Sequence, residues 1–231
     1  MTTYLDQTGN RDGSSRNLGW KAWLSAALLL VVLGGCRVEY DDHHSHWQVH
    51  DAHIASDQDA DGDISFSPPD IYFVSSARTT GSVLAGIDPV FGDEFRGFLD
   101  FQLRGTHGVP LHADIDSAYL EIFINRVDEP FPGAGVSLLI DLVSFQPPVL
   151  IASDFDRSVQ PPIMTLAVEI DAADEGRIMV IDVTSLMIEA QRLDLPDFQL
   201  RFLLDNFAGS GLVEIEDNDF ATAPVLSVHY F

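Results

Sequence analysis

The chain has 231 residues and a formal net charge of −24, from 12 Lys and Arg against 36 Asp and Glu. So acidic a surface repels nucleic acid and other polyanions, and a single cysteine excludes a disulfide framework. Hydrophobic residues make up 46% of the chain, which is enough for one core held by packing alone.

Arg11, Arg16 and Lys21 precede an apolar run over 22–33, which ends in Gly34, Gly35 and Cys36. A basic stretch, a short apolar stretch and small residues at the cut are the layout of a secretory signal peptide. A spanning helix needs about 20 apolar residues, more than this run offers. The sequence Leu33-Gly34-Gly35-Cys36 resembles the bacterial lipobox, in which the thiol is acylated and becomes the first residue of the mature protein. The expectation is a lipoprotein signal peptide over residues 1–35, lipidation of Cys36, and attachment through it to a bilayer of the bacterial cell envelope. Arg37 favours the outer membrane over the inner, since aspartate at that position suits inner-membrane retention. Removal of residues 1–35 leaves 196 residues at a charge of −25, with nine arginines and no lysine.

Residues 36–68 read as a tether. They are polar, charged and without apolar period, a composition that favours disorder. Two constellations in it suit metals. Asp57, Asp59, Asp61, Gly62 and Asp63 match positions 1, 3, 5, 6 and 7 of an EF-hand-type loop, so the four aspartates are candidate calcium ligands. Pro68 stands where that loop carries its bidentate glutamate. His43, His46, His50 and His53 are spaced three, four and three apart, one stripe on a helix, and imidazoles in that arrangement suit zinc or another transition metal. Pro68-Pro69 marks the boundary of the domain over 69–231.

Beyond it, short apolar runs alternate with Gly, Pro, Asp and Asn. Expected strands lie at 71–75, 82–87, 96–103, 117–125, 136–143, 164–170, 178–183, 198–205, 212–215 and 225–230. The clearest period of two is in Ala118, Leu120, Ile122, Ile124 and in Val136, Leu138, Ile140, Leu142, with Pro132-Gly133-Ala134-Gly135 as the turn between. The run 184–193 reads as the one short helix, with Asp182 or Thr184 as its cap. The fold class is all-β, an antiparallel β-sandwich of jelly-roll type with one short helix.

Five blocks carry a resemblance. They are Arg96-Gly97-Phe98-Leu99-Asp100-Phe101-Gln102-Leu103, the stretch from Ala113 to Ile122, Ile181-Asp182-Val183-Thr184-Ser185-Leu186, Phe198-Gln199-Leu200-Arg201-Phe202, and Ala223-Pro224 to Tyr230. In this order, over about residues 70–231, they resemble the DNRLRE-type domain, a jelly-roll-like β-sandwich of secreted bacterial and archaeal proteins, often found beside polysaccharide-active modules. Gln102, Ala190 and Val225 depart from the aspartate, tryptophan and arginine usual there. The resemblance implies carbohydrate binding or cell-surface scaffolding. It carries over no ligand.

A chain this acidic, without lysine after residue 35, favours neutral over acidic polysaccharide as partner. Tyr72, Phe91, Phe98, Tyr119 and Phe123 are the aromatic candidates for stacking on sugar rings. Glu214-Ile215-Glu216-Asp217-Asn218-Asp219 is an acidic strand and loop, a second place for calcium. No nucleophile-elbow, zinc-protease or phosphate-loop motif is present, and the expectation is a protein that is not an enzyme. Its two functional readings are a carbohydrate- or surface-binding lipoprotein and a lipoprotein that binds calcium or zinc with the sandwich as scaffold.

Overall fold

A computed structural model describes residues 48–145, 149–205, 209–218 and 221–231. The expected signal peptide over 1–35 and the expected site residues Cys36, His43 and His46 lie outside the described residues.

Twelve strands form one curled antiparallel sheet: β1 (His50–Ala55), β2 (Gly62–Ser67), β3 (Ile71–Ser76), β4 (Ser82–Ile87), β5 (Glu94–Gln102), β6 (Ile115–Asp128), β7 (Val136–Val143), β8 (Met164–Ile170), β9 (Arg177–Asp182), β10 (Asp197–Leu204), β11 (Gly211–Glu216) and β12 (Val225–Tyr230). Their order is β1-β12-β6-β11-β4-β5-β10-β7-β8, with β2 paired to β3 and β5, and β9 to β6. Two helices interrupt the strands, α1 (Ala77–Thr80) and α2 (Thr184–Arg192). The architecture is the all-β antiparallel sandwich that the strand pattern implies.

The period of two explains the curl. Ala118, Leu120, Ile122 and Ile124 of β6 face one core with Leu138, Ile140 and Leu142 of β7, Leu99 and Phe101 of β5, and Phe198, Leu200 and Phe202 of β10. A sheet with one apolar face buries it most fully by folding over on itself. Leu186, Met187 and Ala190 of α2 close part of that core. The helix is tied to β6 by Thr184, whose Oγ1 accepts the Ala118 N–H at 3.0 Å, while Asp182 Oδ1 accepts the Thr184 N–H at 2.9 Å.

On the face away from that core, β5, β10 and β7 carry polar side chains at the alternate positions. Arg201 and Asp141 are wholly buried there, with Nη2 and Oδ2 2.8 Å apart. Residues 144–145 and 149–163 lie across them. Arg201 donates to the carbonyls of Asp154 and Gln160. Arg157 donates to Asp141 Oδ1 at 2.9 Å. Arg96 donates to the Phe155 carbonyl, and its guanidinium sits 4.0 Å above the Phe155 ring. Gln199 accepts the Phe145 N–H and donates to Asp100. Beneath this layer Ile64, Phe98 and Phe155 form a second, smaller apolar cluster.

The tether expectation needs correcting over 50–67. β1 and β2 belong to the sheet, β1 along β12 from His50↔Tyr230 to Ala55↔Val225, and β2 between β3 and β5. Their alternation is real but sparse. Ala52 and Ile54 are the only apolar members of β1 that turn inward, and Asp51 and His53 fill the positions between. A chain that begins at residue 69 loses both strands and uncovers Phe98 and the edge of β12. It is expected to lose cooperative urea unfolding, and a chain that begins at residue 48 to keep it. A second prediction concerns the buried pair. Asp141→Ala leaves Arg201 without its counter-charge and should cost about 3–5 kcal/mol in urea denaturation, most of it recovered when Arg201→Met is added.

Candidate functional site

Two turns rise at neighbouring places on the rim and enclose a groove of about 450 Å³, lined by Asp88, Pro89 and Val90 on one side and by Arg126, Asp128, Glu129 and Pro132 on the other. Each turn is fastened by a carboxylate that accepts backbone N–H groups. Asp88 Oδ1 takes the N–H of Val90 at 2.7 Å and of Phe91 at 3.0 Å. Glu129 takes those of Gly133 at 2.7 Å, Gly135 at 3.3 Å and Ala172 at 3.2 Å. These donors, Gly133 and Ala172 foremost, hold the Glu129 carboxyl below its usual range. Gly133 and Gly135 have φ of 78° and 64°, a backbone that glycine adopts without strain.

Each turn carries one outward phenylalanine next to a lining residue, Phe91 at 79% exposure and Phe131 at 67%. Arg126 spans the floor, 3.1 Å from Asp128 and 3.7 Å from Glu214. Exposed rings on the turns beside a groove of carboxylates and a guanidinium are the groups that stack on an apolar sugar face and hydrogen-bond its hydroxyls. Phe91 belongs to the aromatic set named from sequence. Phe131 does not, because its setting, Pro130-Phe131-Pro132-Gly133, reads only as a turn. Among the rest of that set Tyr72 is exposed, Tyr119 and Phe123 are half-buried, and Phe98 at 2% exposure is a core residue, not a surface ring.

The aspartates of the expected calcium loop have separate partners. Asp57 Oδ1 accepts the Asp59 N–H within its own turn at 3.0 Å. Asp59 pairs with Arg78 at the surface. Asp63 lies on β2, buried, with a backbone hydrogen bond from Leu84. Asp61 turns inward, accepts the Asp100 N–H at 2.6 Å and faces Asp217. The loop is not of EF-hand type, because β2 starts at Gly62 and draws Asp63 into the sheet.

Of the four histidines of the expected helical stripe, His43 and His46 lie outside the described residues, and His50 and His53 lie on a strand. His50 and His53 are three apart on β1, so they point to opposite faces. His50 stacks on Tyr230 at 5.7 Å, and His53 Nδ1 lies 2.9 Å from Ser227 Oγ. Among the described residues no three His, Cys, Asp or Glu side chains gather as metal ligands.

What the structure does bring together are the two acidic runs, 57–63 and 214–219. Asp61 and Asp217 are buried at 1% and 0% exposure. Burial foremost, and then the charge of the facing Asp217, pushes the Asp61 carboxyl well up. Burial likewise raises Asp217, Asp63 and Asp100 to about 6 each.

These shifts set a pH dependence. An aspartate whose folded pKa exceeds its unfolded value, about 3.9, binds its proton more tightly when folded, so its contribution is complete below that value and is lost as pH rises through about 6. The exposed carboxyls Glu129, Asp156, Asp182 and Glu189 are shifted down and act the other way, losing their contribution only as pH falls below the ordinary carboxylate range. In the presence of chelator, the urea midpoint should therefore be higher at pH 5 than at pH 7.5. A flat or opposite profile would show that the four buried carboxyls do not hold their protons.

No protein-family model matches the sequence, and neither does any curated protein.

Proposed function

We propose that the chain is a bacterial envelope lipoprotein, held to the membrane by acyl chains on Cys36, whose β-sandwich is a non-catalytic module that binds neutral carbohydrate. The groove between the Asp88 and Glu129 turns is the binding site, and the observation that carries this reading is the pair of outward rings, Phe91 and Phe131, on turns already fixed by backbone hydrogen bonds. Rings set before binding lose little conformational entropy when a ligand arrives. Residues 144–145 and 149–163 of the protein itself cover the face of β5, β10 and β7 opposite the core, which supports the rim as the place for a ligand. The net charge of −24 selects against uronate-rich and sulfated glycans.

A second reading, a metal-binding envelope protein with the sandwich as scaffold, is favoured by the buried Asp61 and Asp217 and has its own test below. For the carbohydrate reading, the full chain is applied to an array of neutral and acidic glycans. Hits are expected among the neutral ones. Phe91→Ala and Phe131→Ala should each weaken them about tenfold, the equivalent of about 1.4 kcal/mol, with unfolding midpoints unchanged because both rings are exposed. Hits that both variants keep at full strength would place the ligand elsewhere.

A further inference from the structure

Asp61 and Asp217 come from opposite ends of the domain and meet where the β1–β2 turn packs against the end of β11. One oxygen of each is accounted for. Asp61 Oδ1 accepts the Asp100 N–H at 2.6 Å, and Asp217 Oδ1 accepts the Ser56 hydroxyl at 3.3 Å. The other oxygen of each, Asp61 Oδ2 and Asp217 Oδ2, is buried with no donor from the rest of the protein, so that the two carboxyls have only each other there. None of the ion pairs among the described residues reaches either carboxylate. Two buried carboxylates facing each other without a counter-charge are among the costliest arrangements a fold can hold, and nature meets them with a cation or a proton.

We propose that Asp61 and Asp217 jointly bind a calcium ion through their unpartnered oxygens, clamping the β1–β2 turn to the end of β11. The donors are all oxygen, which suits a hard cation and not zinc. The two carboxylates supply their two unpartnered oxygens, Asp61 Oδ2 and Asp217 Oδ2. The Ser56 hydroxyl stands beside them, Gln58, which donates to the Asp217 carbonyl, brings its side-chain oxygen to the same turn, and water completes a sphere of six to eight. Magnesium holds its waters and demands regular octahedral geometry, so this irregular, mostly protein-built set favours calcium. A shared proton would cancel one of the two charges. A divalent ion cancels both, in surroundings where Glu216 adds to the negative field. The calcium site is thus not the loop 57–63 but a junction of Asp61 from that loop with Asp217 from the second acidic run. It is independent of the glycan groove.

The test is thermal unfolding of the full chain at pH 7.5 in chelator, in calcium and in magnesium, with calorimetric titration of calcium alone. At calcium a hundredfold above its Kd, the midpoint should rise by roughly 5–10 °C, with a smaller rise in magnesium. Asp217→Asn should abolish the rise and the calorimetric heat. Asp59→Asn, at an exposed residue paired with Arg78, should retain both. If Asp217→Asn does not fold, Ser56→Ala serves in its place and should weaken calcium severalfold. Three results would overturn the proposal: no calcium response in the parent chain, an equal response in Asp217→Asn, or a response abolished by Asp59→Asn. An unresponsive parent less stable than its Asp217→Asn variant would identify a shared proton instead.

Discussion

Arg201 carries its guanidinium into the interior on the face of the sheet away from the main core, and the structure on that side is organised to meet its charge. Asp141 stands opposite it on β7, Thr165 and Arg157 add hydrogen bonds to the same carboxylate, and the carbonyls of Asp154 and Gln160 accept from Arg201 Nη1 and Nη2. A buried arginine with three acceptors is tolerable, whereas the same arginine with none is not. Residues 144–145 and 149–163 therefore lie where they do because the charge requires it, and by lying there they close a sheet face that would otherwise be open to ligands. The candidate groove lies away from that face, between the Asp88 and Glu129 turns.

The distribution of the few cations sharpens the same point. Arg96, Arg157 and Arg201, three of the nine arginines after residue 35, gather in one place. Where cations are that scarce, carboxylates elsewhere have to be satisfied by other means. Glu129, Asp88, Asp156 and Asp182 use backbone N–H groups in their own turns. Asp61 takes one N–H from Asp100 and Asp217 one hydroxyl from Ser56, and the second oxygen of each stays unmet.

The legible part of the fold was the part with a strong period. β6 and β7 alternate large aliphatic side chains over many residues, and their inward faces can be read from the chain alone. β1 and β2 are equally part of the sheet, yet each offers two inward apolar residues among Asp, His and Ser, too little to stand out from a polar linker. The spacing of Asp57 to Asp63 suggested a local calcium loop because local spacing is all that a sequence displays. The meeting of Asp61 with Asp217 depends on the β11 end arriving beside α1, where the Asp217 N–H reaches the Gly81 carbonyl, a long-range fact with no local signature. Phe131 escaped notice for a related reason, since a ring flanked by prolines says nothing about which surface it overlooks.

That β1 begins at His50 also has a mechanical side. On the proposed anchoring, only the 13 residues from 37 to 49 separate the lipid from the sheet, a span of about 45 Å at full stretch. Any pull between membrane and cargo enters at the His50↔Tyr230 pair and works to unzip β1 from β12 one pair at a time, the weak direction for a strand. Beyond Ala55 the peeling front meets Ser56 and Gln58, both bonded to Asp217, and then Asp61 itself. The junction sits in the line of tension as a stop, so the six pairs of β1 can yield like a fuse while the remaining sandwich keeps its shape.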